Sequence, residues 1–152
     1  MWGMPESWCI KMRFFKKRKV TLALGGGGAR GLANIGVLKV FERENIPLDL
    51  LIGSSMGGLV ATAYALGAPL ERIEKVALRF TTRDIADLTL PRASFLKGRK
   101  LAKIIDKLTE RKNFADCRIP VAITATNIKS GEELIFTCGN LQKILRASCS
   151  WP

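Results

Sequence analysis

The chain has 152 residues, 47% hydrophobic and 25% charged, a profile that fits one folded domain and excludes a disordered chain. It contains no histidine, which excludes a Ser-His-Asp triad, a Cys-His dyad and any histidine metal site. Lys and Arg number 25 against 13 Asp and Glu, a net charge of +12, and the four cysteines form no C-x-x-C pair, so they read as reduced, mostly buried thiols.

In chain order, residues 1–19 read as a basic leader. Lys11, Arg13, Lys16, Lys17, Arg18 and Lys19 meet no acid there, and Phe14 and Phe15 sit among them. Such a stretch is either a solvated segment ahead of the first strand or a contact for anionic lipid or nucleic acid. A second basic cluster from Lys97 to Lys112 is interrupted by acids. Neither carries a nucleic-acid motif, so no nucleic-acid partner is expected. No apolar run follows the leader at the length of a secretory signal, which makes the cytoplasm the expected location, with peripheral membrane contact through the leader.

Val20–Leu24 is a short apolar run ended by four glycines, the pattern of a buried strand entering a turn. Gly31–Glu44 follows as a helix, with Leu32, Ile35, Leu38, Val40 and Phe41 on its apolar side and Asn45 and Pro47 closing it. Residues 48–53 form a second strand, and Leu59–Leu66 a helix so apolar that it must be buried. Residues 50–70 carry no charge and are long enough to imitate a membrane span, but Gly53, Gly57, Gly58, Gly67 and Pro69 break them into a strand, a turn and a helix. Ile73, Val76, Ala77 and Phe80 predict an amphipathic helix over 70–80. Residues 81–97 show no clean period and read as a connection or lid. Leu101, Ile104, Ile105 and Leu108 mark another helical face. Val121–Thr126 and Glu133–Cys138 are predicted strands joined by a turn at 127–131, and Asn140 caps a last helix bearing Leu141, Ile144 and Leu145. Strands alternating with helices predict an α/β fold: an incomplete three-layer α/β/α domain over 20–152 with a mainly parallel sheet.

Two constellations carry chemistry. Gly53-Ser54-Ser55-Met56-Gly57 is G-x-S-x-G, with Ser55 between a predicted strand and a predicted helix. A nucleophile elbow needs that context: the turn is tight, glycines flank the serine, and the following helix directs its positive end to the same place. The competing reading is a structural turn. Ser54, at an x position, is expected to satisfy backbone groups. The second constellation is Gly25-Gly26-Gly27-Gly28-Ala29-Arg30-Gly31, in which Gly26, Gly28 and Gly31 satisfy G-x-G-x-x-G. A phosphate loop fails, because Gly31-Leu32-Ala33 stands where Gly-Lys-Ser/Thr is needed. A dinucleotide site wants an acid at the end of the next strand, whereas Asp49 lies near its beginning. The remaining reading is an oxyanion hole built from glycine N–H groups and aimed at the tetrahedral oxygen formed on attack by Ser55.

Together, the glycine-rich Gly25–Gly31 turn and the Gly53–Gly57 motif resemble the patatin-like phospholipase family, and Arg146-Ala147-Ser148-Cys149-Ser150-Trp151-Pro152 resembles the start of a later block in its bacterial members. The resemblance spans roughly residues 20–152. It implies a lipid acyl hydrolase with a Ser-Asp dyad, acting on phospholipid or another acyl ester without metal or cofactor. It makes Ser55 the nucleophile, Gly26, Gly27 and Gly28 the oxyanion loop, and Arg30 a residue that orients the loop or is merely solvated at a helix start; Gly31, Gly53 and Gly57 are the motif glycines. The family's dyad aspartate sits in a later Asp-Gly motif. Asp49, Asp84, Asp87, Asp106 and Asp116 are the only aspartates here, and none precedes glycine. The sequence therefore reads as the N-terminal part of a hydrolase, nearly inactive alone. A non-catalytic remnant that binds lipid or a partner protein is the alternative.

If the leader docks on anionic membranes, sedimentation with anionic vesicles weakens as salt rises, by about 1 kcal/mol for each basic residue near the surface. Binding indifferent to both salt and deletion of residues 1–19 rules that role out.

Overall fold

Two apolar runs that each end in glycine pair side by side and set the direction of the sheet. In the computed structural model, which describes residues 19–78 and 94–150 (94–100 as backbone only), β1 (Thr21–Leu24) lies parallel to β2 (Leu50–Ser54), and β2 lies parallel to β3 (Val121–Thr126). A fourth strand, β4 (Glu133–Phe136), returns antiparallel on β3, giving the order β1-β2-β3-β4. The hairpin turns on Asn127, whose N–H donates to Glu132 O at 2.9 Å and whose side chain accepts from Lys129 N at 3.0 Å. The basic leader up to residue 18, residues 79–93 with most of the expected connection, and Trp151 lie outside the described residues.

The helices are α1 (Ala33–Arg43), α2 (Met56–Ala65), α3 (Leu70–Leu78), α4 (Ser94–Thr109) and α5 (Leu141–Cys149). Of these, α2 and α5 pack on the sheet. The central one is α2, which contacts β1, β2 and β3 and also α1, α3 and α4. That position explains a helix without a polar face: Gly57 through Ala63 and Ala65 are all buried. It closes one core with Leu24, Leu38, Leu51, Ile73, Ile105, Ile123 and Leu145, each large side chain contributing roughly 1.5–3 kcal/mol by leaving water. Helix α5 packs on β3 and α4, and Asn140 caps it by accepting from Lys143 N at 2.9 Å, as expected.

The α/β class and the mainly parallel sheet are as the sequence predicts; the second helical layer of the expected sandwich is not among the described residues. On the far face of the sheet Ala23 is exposed, Leu50 and Ile52 are half-buried, and Ile135 is 63% exposed. Boundaries shift for identifiable reasons. β1 starts at Thr21 because Val20 N donates to the Asp49 carboxylate at 2.8 Å instead of joining the ladder. The helix expected from Gly31 opens as a 3-10 turn over Gly28–Leu32, entered through Gly27 at φ 106°. Helix α2 begins at Met56, three residues before the expected Leu59, because its first turn carries Gly57 and Gly58 in place of apolar side chains.

Those glycines are positions of close approach. A Cβ on Gly57 would strike the carbonyl oxygen of Leu24, and one on Gly53 would strike the backbone of Gly58. Gly36, on α1, faces open space. Gly57→Ala and Gly53→Ala are therefore each expected to lower unfolding stability in urea by at least about 2 kcal/mol, through overpacking against backbone that cannot yield. Gly36→Ala is expected to raise it by roughly 0.5–1 kcal/mol, the helix preference of Ala over Gly.

Candidate active site

β2 ends at Ser54 and α2 begins at Met56, so Ser55 alone turns the chain from strand into helix. It does so at φ 51°, ψ −123°, a left-handed conformation that costs a residue with a side chain on the order of 1–3 kcal/mol. Hydrogen bonds at both ends of the residue hold it there. Leu59 N donates to Ser55 O at 3.1 Å, and Ser55 N donates to Ser148 Oγ at 2.8 Å. Gly53 and Gly57, which flank the serine motif, do not themselves have positive φ; their lack of a side chain lets helix and sheet touch.

The glycine-rich turn arrives at the same edge because Leu24 of β1 pairs with Gly53 of β2, so the two strands release their turns side by side. A Cβ on Gly26 would sit 3.1 Å from Ser55 Cβ, and one on Gly31 would sit 2.8 Å from Met56 Cβ. Glycine at both positions lets the turns meet. Gly27 and Gly28 have φ of 106° and 57°. Gly26, Gly27 and Gly28 donate to no backbone carbonyl among the described residues, and the first amides of α2 have no partner within their helix. Arg30 enters through its backbone: its N–H closes the turn on Gly27 O at 3.1 Å, and the residue is exposed. A side chain the sequence did not single out, Asn34, ties the loop down by donating from Nδ2 to Gly25 O at 2.9 Å.

Helix α5 forms the other wall. Ser148 takes the elbow N–H, a task expected of Ser54, which instead ends β2 opposite Thr124. Cys149 follows Ser148 on the helix, and burial pushes its thiol up to about 11, against a smaller lowering influence of the Ser55 side chain. Between α2, α3 and α4 lies an apolar cleft lined by Leu32, Met56, Val60, Val76 and Ile104, beginning at the residue next to Ser55.

The described aspartates are engaged elsewhere. Asp49 accepts from Val20 N at the opposite end of the strands, Asp106 pairs with Arg111 on α4, and Asp116 accepts from Asn113 N at 2.8 Å in the turn leading into β3. Asp116 is not placed to serve as a base for Ser55. It precedes the start of a strand parallel to β2, at the end of the sheet away from the elbow. Asp84 and Asp87 lie outside the described residues. Among the described residues no cluster of three His, Cys, Asp or Glu side chains is placed to hold a metal, and no helix is long and apolar enough to cross a membrane.

A mainly parallel sheet with a strained serine between strand and helix, set against a glycine-rich turn, defines an α/β protein of the G-x-S-x-G type. The chain belongs to the patatin-like phospholipase family, whose model matches residues 22–152. It is 34% identical over 139 residues to lysophospholipase NTE1 of Pyricularia oryzae, covering 88% of this chain and 9% of that protein. It is 31% identical over 144 residues to neuropathy target esterase sws of Drosophila persimilis, covering 91% and 10%. The chain thus spans about a tenth of the length of these relatives. Two structures of the type III effector ExoU, one of them from Pseudomonas aeruginosa, superpose with TM-scores of 0.63 and 0.62 at 14% and 16% identity. They cover 86% and 88% of this chain and 39% and 38% of theirs, a likeness of fold.

The Cys149 thiol yields a pH prediction. Its pKa is raised in the folded chain, so the stability it contributes is complete below the unfolded value near 9 and is lost as pH climbs towards 11. Thermal midpoints measured from pH 8 to 11 are expected to fall, and Cys149→Ala should flatten that fall by no more than about 2 kcal/mol.

Proposed function

We propose that this chain carries the nucleophile and oxyanion halves of a lipid acyl hydrolase of the phospholipase or lysophospholipase kind. The observation that carries the reading is Ser55 itself, held at φ 51° between β2 and the N-terminus of α2, with Gly26 pressed against its Cβ. Backbone strain persists where surrounding contacts impose it, and it clusters at reacting residues.

In this reading Ser55 Oγ attacks the acyl carbonyl carbon as its proton passes to a base, and the new oxyanion is received by N–H groups of Gly26–Gly28 at the positive end of α2. Collapse of the tetrahedral intermediate expels the alcohol part of the lipid, which takes up a proton. Water then releases the fatty acid from the acyl-serine. Arg30 and Asn34 hold the loop in shape, one through its backbone and the other through its side chain. The substrate is a phospholipid or related acyl ester, and the basic leader gives peripheral contact with an anionic membrane; neither metal, cofactor nor nucleic acid enters.

No described aspartate carboxylate is bonded to Ser55, and the buried Cys149 thiol is protonated at neutral pH. This observation favours a second reading, a non-catalytic lipid- or partner-binding chain. It also sets the activity expected under the first. Loss of one member of a serine hydrolase's catalytic unit costs on the order of 10⁴ to 10⁶ in rate, so the 152-residue chain is expected to hydrolyse activated esters barely above background.

A fluorophosphonate probe discriminates between them. Slow labelling confined to Ser55 and abolished by Ser55→Ala, read by peptide mass, supports the hydrolase. No labelling, or labelling spread over other serines, supports the non-catalytic chain.

A further inference from the structure

We infer that Ser148 is a positioning residue for Ser55: its hydroxyl oxygen fixes the backbone of the elbow and so the direction in which the nucleophile points. The inference rests on the reading of Ser55 as nucleophile. Three observations support it.

First, Ser55 holds a left-handed conformation that a residue with a Cβ does not keep unaided, and its N–H is half-buried. An N–H in such a place needs an acceptor, and the one it has is Ser148 Oγ at 2.8 Å, supplied from 93 residues further along the chain. Second, the acceptor stands on a firm base. Helix α5 is capped by Asn140 and anchored by the buried Leu141, Ile144 and Leu145, so Ser148 comes to the elbow on a helix seated in the core. Third, the bond divides the amides at the site between two tasks. The Ser55 N–H is occupied by Ser148, whereas those of Gly26, Gly27 and Gly28 bond to no backbone carbonyl among the described residues. An oxyanion must therefore be received by the glycine turn and the start of α2, and Ser148 serves geometry only.

The test uses the whole chain with Ser148→Ala, which removes the acceptor, and Ser148→Thr, which keeps it. Hydrogen exchange of the Ser55 amide and the rate of fluorophosphonate labelling at Ser55 are measured on each. Ser148→Ala is expected to speed exchange of the Ser55 amide by roughly tenfold or more and to slow labelling by a similar factor, with the Leu66 amide, which donates to Thr62 O at the far end of α2, unchanged. Ser148→Thr is expected to restore both. The inference is overturned if Ser148→Ala leaves the Ser55 amide unchanged, if Ser148→Thr falls as far as Ser148→Ala, or if the Leu66 amide loses protection equally, which marks a packing role. Should Ser148→Ala fail to fold, Ser148→Cys carries the same comparison, since sulfur is a weaker acceptor. If the wild-type chain takes no label, it is the nucleophile reading that fails, and the Ser55 amide still decides whether Ser148 holds the elbow.

Discussion

Helix α2 stands with its first turn against the ends of β1 and β2 only because Gly53, Gly57 and Gly58 leave no side chains between backbone and backbone. This contact sets the height of the helix over the sheet, and much of the site follows from it. With α2 so low, its N-terminus lies level with the strand ends, and a single residue has to reverse the chain. Ser55 takes the strained conformation because the strand before it and the helix after it are both fixed. The same closeness brings the glycine-rich turn against the serine, where Gly26 and Gly31 again omit the side chains that would hold the two turns apart.

The site is assembled from parts far apart in sequence. The turn after β1 and the elbow after β2 meet because parallel strands release their following segments at one edge, whereas α5 follows the antiparallel β4 and brings its C-terminal end back to the elbow. Most backbone hydrogen bonds of the core are local, but the Ser55 N–H is served from α5 and the Gly25 carbonyl from α1. The helix that carries Ser148 to the elbow is itself seated in the core by the buried Leu141 and Leu145.

Much of this was legible in the sequence, and for physical reasons. Short apolar runs ended by glycine identify buried strands, and an uncharged stretch punctuated by Gly53, Gly57 and Gly67 can be a strand, turn and helix but hardly a bilayer span. The two glycine motifs could be placed at one edge from the alternation of strands and helices alone. Tertiary partners were not legible. Nothing in the local pattern around Asn34 or Ser148 says which carbonyl or amide each will meet, because hydroxyl and amide side chains on helices usually face water. Gly53 and Gly57 flank the tight turn as expected; within the motif positive φ falls on Ser55 alone, and the glycines are required because a Cβ on either would strike backbone.

Asp49 and Val20 exchange hydrogen bonds at the strand entrance: the Val20 N–H reaches the Asp49 carboxylate, and the Asp49 N–H reaches the Val20 carbonyl. This pair acts as a ruler. From Asp49 to Ser54 the chain is extended, so the pair lies roughly 16 Å from the elbow, at about 3.3 Å per residue. A slip of one residue between β1 and β2 would turn every side chain to the opposite face and carry Gly26 away from Ser55. Asp49 thus keeps the glycine-rich turn and the Ser55 elbow in step, and their alignment is set at the far end of the sheet.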